Sequence, residues 1–189
     1  MQIFLDCMNR DVIKKLLPTG LIDGITTNPS ILRKEGGDVK AVLADICAMV
    51  PGPVSIEVTE KETEAVYQQG LRIAAFAKNA VVKIPFSEHY LPVIKRLADE
   101  GIALNITLIF TPLQALMVSK LGVRYVSPFL GRWDEVGVDG LDLLDQTIDI
   151  KNAYDFDTQI LAASIRSVLQ WQKAAQMGVD VVTLPPAIL

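Results

Sequence analysis

A single histidine, two cysteines, 6% aromatic residues and a formal charge of only −4 mark what this 189-residue sequence lacks. With His89 alone, a histidine-rich metal site has no ligand set, and a Ser-His-Asp triad would need well-placed partners around one residue. His89 reads instead as a surface residue at the start of a helix. Cys7 and Cys47 stand far apart and make no disulfide framework, so both are expected to be reduced, as in a cytoplasmic protein. The opening Met1-Gln2-Ile3-Phe4-Leu5-Asp6 has no basic start and meets an acid at position 6, unlike a secretory signal. Basic and acidic residues number 18 and 22. No basic tract occurs, which removes nucleic acid from the expected partners. Half the residues are apolar, yet no unbroken run reaches the roughly 18 residues of a membrane span, so no membrane partner is expected.

What the sequence does have is short apolar runs along its whole length, at 2–5, 24–26, 54–57, 81–84, 103–108, 125–127, 160–163 and 181–184. They are rich in Val, Ile and Leu and do not alternate, the pattern of strands covered on both faces. Between them, 63–78, 88–100, 111–120, 139–151 and 165–177 have helical periodicity, with Thr111 and Pro112 as a cap and first residue. Gly101, Gly122 and Gly178 supply stop signals. Alternating strand and helix predicts a parallel sheet. Eight strands predict a closed (β/α)8 TIM barrel, one α/β domain over 1–189. No G-x-G-x-x-G follows the first strand, which weakens a dinucleotide-binding alternative. The stretch 131–140 reads as the longest loop. The sequence ends at Leu189, just past the eighth strand, so the barrel is expected to lack its C-terminal helix or helices, a natural tail being absent.

In such a barrel the chemistry sits at the C-terminal strand ends. Asp6 ends strand one, Thr26-Thr27-Asn28 follow strand two, and Glu57 ends strand three. Strand four carries Lys83, strand five Asn105 and Thr107; Ser127 and Ser164 end strands six and seven. An ammonium in the apolar run Val81-Val82-Lys83-Ile84-Pro85 is either paired or shifted toward its neutral amine, and a neutral amine attacks carbonyl carbon. Glu57 and Asp6 read as an acid/base pair for that chemistry, or as simple neutralising partners of Lys83. Asn28, Asn105, Thr107 and Ser127 can hold the hydroxyls of a polyol. Arg132 and Arg166, with Ser164 and amides at a helix start near Ile165, suit a phosphate.

These motifs resemble the transaldolase family, and in length its small-subunit branch, which includes fructose-6-phosphate aldolase. The resemblance covers the whole chain. It is carried by Leu5-Asp6, Gly24-Ile25-Thr26-Thr27-Asn28-Pro29-Ser30, Val82-Lys83-Ile84-Pro85, Asn105-Ile106-Thr107-Leu108-Ile109-Phe110, Ser127-Pro128-Phe129-Leu130-Gly131-Arg132 and Ala162-Ala163-Ser164-Ile165-Arg166. The resemblance implies a Schiff base on Lys83, Asp6 as the acid/base for carbon–carbon cleavage, and Glu57 with Thr107 handling water. It implies Thr27, Asn28, Asn105, Ser127 and Phe129 at the sugar, and Arg132, Ser164 and Arg166 at the phosphate. No metal or cofactor is implied. The partners it implies are sugar phosphates of the pentose phosphate pathway and copies of the same chain, in a pentamer or decamer. The aldolase branch carries glutamine and tyrosine where Glu57 and Phe129 stand here, so the resemblance favours a transaldolase over an aldolase releasing free dihydroxyacetone. A non-catalytic sugar-phosphate-binding barrel is the remaining alternative.

Overall fold

The computed structural model describes residues 1–31 and 38–189. Its strands are β1 (Gln2–Asp6), β2 (Gly24–Thr26), β3 (Val54–Glu57), β4 (Ala80–Pro85), β5 (Leu104–Ile109), β6 (Tyr125–Pro128), β7 (Gln159–Ala162) and β8 (Val181–Leu184). They lie in sequence order around a closed parallel barrel. Closure comes from β1 against β8, in register from Gln2↔Val181 to Leu5↔Leu184. The strands are mostly apolar because each packs on helices outside and on side chains in the lumen. The expected fold is therefore found.

The helices are α1 (Arg10–Leu16), α2 (Val39–Met49), α3 (Thr63–Ala74), α4 (Leu91–Asp99), α5 (Pro112–Ser119), α6 (Leu130–Asp134), α7 (Gly140–Ala153) and α8 (Val168–Gln176). Periodicity did not mark α1 and α2, although both carry a cap signal. The Asn9 side chain accepts from the Val12 N–H and Asp38 from the Lys40 N–H. α5 begins as expected, with a reciprocal Thr111/Gln114 capping box.

Two expectations are corrected. The stretch 131–140 is no continuous loop, since α6 occupies its first residues. Gly131 serves a close approach. A Cβ there would lie 2.2 Å from the Ser164 carbonyl oxygen and 2.5 Å from Arg166 Cγ. The last helix starts at Val168, not at 165, because Ser167 Oγ caps it by accepting from the Gln170 N–H. The Gln170 side chain in turn accepts from the Arg166 N–H at 2.8 Å, which holds the residues before α8 outside the helix.

Past β8 the Ile188 N–H bonds back to the Pro185 carbonyl, and Ile188 and Leu189 pack on the main core. Among the described residues no helix follows β8, and none is long and apolar enough to cross a membrane. The main core lies between strands and helices. A smaller one (Phe4, Val81, Tyr125, Leu161, Ala163 and Val181) lies in the lumen, with Val81, Tyr125 and Val181 at or near strand starts and Leu161 and Ala163 reaching the cavity above. There the Phe4 and Tyr125 rings meet edge to face at 5.8 Å. Gly24 makes room for Phe4, whose ring would stand 2.8 Å from an added Cβ. With Phe4 and Tyr125 filling the lumen below, the cavity that the polar strand residues share lies toward the C-terminal strand ends.

Candidate active site

A cavity of about 470 Å³ opens at that end, lined by residues from β1 to β8 and the loops above them. Lys83 reaches it from the middle of β4 and is 6% exposed. Its Nζ lies 3.0 Å from Glu57 Oε2 and donates to the Thr27 carbonyl at 2.9 Å. Register explains the pair: Glu57 lies beside Lys83 across β3–β4, and Asn105 lies beside Lys83 across β4–β5. Residues opposite one another in adjacent strands face the same side, so all three side chains turn into the lumen. The lysine is thus paired, and the pair is nearly dry, at 7% and 14% side-chain exposure. Breaking such a pair by removing one partner costs about 3–5 kcal/mol.

Asp6 ends β1 on the same cavity. Burial pushes its carboxyl above the ordinary range; the Lys83 charge, a hydrogen bond from Thr26 and the Arg166 charge oppose that, while Glu57 adds to it. Thr26 Oγ1 donates to Asp6 Oδ1 at 2.9 Å and lies 2.6 Å from Thr183 Oγ1 of β8. On the opposite wall Ser127 Oγ donates to Asn105 Oδ1 (2.6 Å), and Asn105 Nδ2 donates to Ser55 Oγ (3.1 Å). The carboxamide is therefore locked by both its ends. Thr107 Oγ1 is buried and has no hydrogen-bond partner among the described residues, yet it lines the cavity. Leaving a hydroxyl so costs roughly 1–3 kcal/mol, a cost a ligand can remove.

Two residues at the rim hold backbone that side chains rarely adopt, Leu108 at φ 57° and Ser164 at φ 60°. Leu108 coincides with a register shift between Ile106 and Ile109 against β6. Strict alternation would turn one of Thr107 and Leu108 outward, but the kink lets both line the cavity. Strain of about 1–3 kcal/mol per residue is typical where a site overrides local preference. Above them Arg132 on α6 and Arg166 after β7 line the outer rim with Ser164. Arg166 is anchored at 3.2 Å by Glu135. The site thus stacks a buried amine, two carboxylates, hydroxyl and amide holders, and a cationic mouth. That order suits a carbonyl compound with hydroxyls along its chain and an anionic tail.

A family model described as Transaldolase/Fructose-6-phosphate aldolase matches residues 3–189. This chain belongs to that family. A protein of Caulobacter sp. (strain K31) named "Probable transaldolase" is 49% identical over 187 residues, covering 99% of this chain and 86% of that one. Another of that name, from Desulfosudis oleivorans, is 46% identical and covers 100% of this chain and 88% of that one. Among solved structures, inosine 5′ monophosphate dehydrogenase from Legionella pneumophila superposes with a TM-score of 0.63 at 15% identity. It covers 100% of this chain, which spans 58% of that one. That likeness speaks for the barrel alone. Family membership makes the chain an enzyme of the transaldolase and aldolase kind.

Of the residues singled out from sequence, Asp6, Asn28, Glu57, Lys83, Asn105, Thr107, Ser127, Phe129, Arg132, Ser164 and Arg166 all line the one cavity. Thr27 does not. Its hydroxyl donates to the Ser55 carbonyl, and it offers Lys83 only its own carbonyl. Thr26 takes the lumen position instead, since β2 is three residues long and alternation decides which threonine faces inward. The amides expected from a helix start near Ile165 are not there, α8 beginning at Val168. Ser55, Thr183 and Glu135 went unmarked. Thr183 had a readable signal: Val181-Val182-Thr183-Leu184 repeats the polar third place of Val81-Val82-Lys83-Ile84.

Proposed function

We propose that this protein is a transaldolase acting through an imine on Lys83. It would move a dihydroxyacetone unit from sedoheptulose 7-phosphate or fructose 6-phosphate to an aldose phosphate, in the pentose phosphate pathway. The single observation behind this reading is the buried Lys83 amine, 3.0 Å from Glu57 on a cavity shared with Asp6.

Glu57 takes a proton from the Lys83 ammonium, and the freed amine attacks the ketose C2 carbonyl. The resulting carbinolamine loses its hydroxyl as water, with a proton returned by Glu57. Thr107 and Glu57 hold that water; Phe129, on the same cavity, offers it no hydroxyl. Asp6 then removes the proton of the C4 hydroxyl. The C3–C4 electrons pass into the imine, leaving an enamine on Lys83 and releasing the aldose phosphate. An acceptor aldehyde enters and the steps reverse, the enamine carbon forming the new bond while Asp6 returns the proton. Asn28, Asn105 and Ser127 hold hydroxyls of the three-carbon unit, and Arg132, Ser164 and Arg166 hold the phosphate.

Borohydride added during turnover of fructose 6-phosphate should fix a dihydroxyacetone-sized adduct on Lys83, read by peptide mass. An unmodified Lys83 with substrate bound would leave a sugar-phosphate-binding barrel without turnover. Cleavage that proceeds equally well without an aldose acceptor would make the protein an aldolase releasing dihydroxyacetone; the carboxylate at Glu57 and the phenyl ring at Phe129 favour transfer. The same reading makes residues 1–189 one domain of a cytoplasmic homo-oligomer, a pentamer or decamer, which sedimentation of the purified protein tests.

A further inference from the structure

We propose that Thr183 is a positioning residue that acts on Asp6 through Thr26, fixing the direction of a hydroxyl chain that ends on the Asp6 carboxylate. The inference rests on the reading that Asp6 carries the proton of carbon–carbon cleavage. β1 lies between β2 and β8, so Thr26 and Thr183 flank Asp6 and Phe4 from either side. Their hydroxyls meet across β1, 2.6 Å apart, with 3% and 5% exposure. Both also line the cavity.

Proton counting sets the direction. A threonine hydroxyl has one proton and two lone pairs. Thr26 spends its proton on Asp6 Oδ1 at 2.9 Å. In the Thr26–Thr183 contact Thr26 must therefore accept, and Thr183 must donate. A hydroxyl that accepts while donating is polarised, so its donation strengthens. Thr183 thus favours the ionised form of Asp6 without touching it. The charged groups facing Asp6 are Lys83 from β4, Glu57 from β3 and Arg166 from the segment after β7. Lys83 and Arg166 also favour the carboxylate, whereas burial and Glu57 oppose it. In that balance a second-tier hydroxyl moves the proton affinity of the base. When Asp6 takes up the proton of the substrate hydroxyl, the chain reverses. Asp6 then donates to Thr26 and Thr26 to Thr183, whose own proton turns toward the cavity that it lines.

The test compares Thr183→Val, which keeps the shape and loses the donor, with Thr183→Ser, which keeps the hydroxyl. The valine variant should move the acidic limb of the kcat–pH profile upward by about half a unit to one unit. Below the limb kcat should fall about three- to tenfold, while KM changes less than about twofold. The serine variant should follow the parent. Thr183→Ala serves the same comparison if the valine variant fails to fold. A limb unmoved by valine or alanine overturns the proposal, as does an equal shift in valine and serine variants. Titration of the Asp6 carboxyl by carbon NMR, without substrate, reads the same shift independently of turnover. Should that titration move while Asp6→Asn leaves the cleavage rate intact, the positioning stands and the role given to Asp6 fails. Should it stay fixed while borohydride still traps Lys83, the positioning fails and the imine reading stands.

Discussion

The two ends of this barrel are built from the same strands and solve opposite problems. At the N-terminal end the lumen is closed by apolar side chains around the Phe4–Tyr125 pair. Asp180, just before β8, is consumed by structure. Its carboxylate accepts two bonds from Lys151 Nζ at 2.6 Å and one from the Ile160 N–H at 2.8 Å. Toward the C-terminal end the strands carry Asp6, Glu57, Thr107 and Ser127, around open volume, with two residues in left-handed backbone. A barrel can hold that second arrangement because the first is rigid. Stability gathered below and between the layers offsets the desolvated charges and strain above. Changes at the upper end should therefore act on rate first, and changes at the lower end on stability first.

The largest effect expected is at Lys83. Lys83→Ala should remove turnover by a factor of at least about 10³ and abolish borohydride trapping, measured by coupled assay and peptide mass. It also leaves Glu57 without its 3.0 Å partner. Lys83→Met with Glu57→Gln, which removes both charges, should be equally inactive but more stable than Lys83→Ala in urea unfolding. If the double variant is the less stable one, the ion pair holds the upper barrel together and the division between the ends fails.

Next comes Asp6. Asp6→Asn should lower kcat by about 10²–10⁴. Its effect on stability has a sign set by burial, which raises the carboxyl's proton affinity in the folded state. A group raised on folding favours the fold fully below its unfolded pKa, and that contribution is lost as pH rises through the folded value. Above the folded value the parent bears an ionised, buried carboxylate that asparagine does not. Asp6→Asn should have the higher Tm at pH 7, with the gap closing below about pH 4. A variant less stable than the parent at pH 7 would show that Thr26, Lys83 and Arg166 outweigh burial.

At the opposite end, Asp180→Ala should cost roughly 2–4 kcal/mol by urea unfolding, since it strands a partly buried lysine and the Ile160 amide. KM and kcat of the folded fraction should stay within about twofold of the parent. A tenfold change in kcat would mean that the two ends are coupled through the strands.

How far the sequence revealed this division depends on the kind of signal. Strand count and order were legible because unbroken apolar runs are unusual outside parallel sheets. Lys83 stood out because an ammonium in such a run is costly and demands a reason. Thr183 in the matching place of β8 did not, because threonine is an ordinary strand residue and its hydroxyl hides the same anomaly. Thr26 and Thr27 could not be told apart, since a strand of three residues leaves its parity to its neighbours. α1 escaped because its seven residues span barely two turns, too few for a period to register. In 131–140 the five-residue helix α6 is too short for a period to register, and its glycine is required by the close approach of Ser164 and Arg166. Contacts between segments far apart in sequence leave no local trace.

The smallest effect gives the sharpest comparison, because one chemical change can be made at both ends. Among the described residues Thr107 Oγ1 and Tyr125 OH are both buried hydroxyls without a well-formed hydrogen bond, although the Arg124 guanidinium lies near the phenol. Removing each by its nearest apolar equivalent, Thr107→Val and Tyr125→Phe, relieves the same penalty. Each should stabilise the fold by about 1 kcal/mol in urea unfolding. Tyr125 sits in the plugged half of the lumen, where burial raises its phenol and keeps it neutral, so Tyr125→Phe should leave kcat unchanged. Thr107 lines the same cavity as Glu57, and losing its hold on the imine water should lower kcat about 10–100-fold. Equal stability gains with unequal rates would make the difference between the ends one of function. A Thr107→Val variant that is more stable and fully active would reduce the hydroxyl at the upper end to the same idle role as the one below.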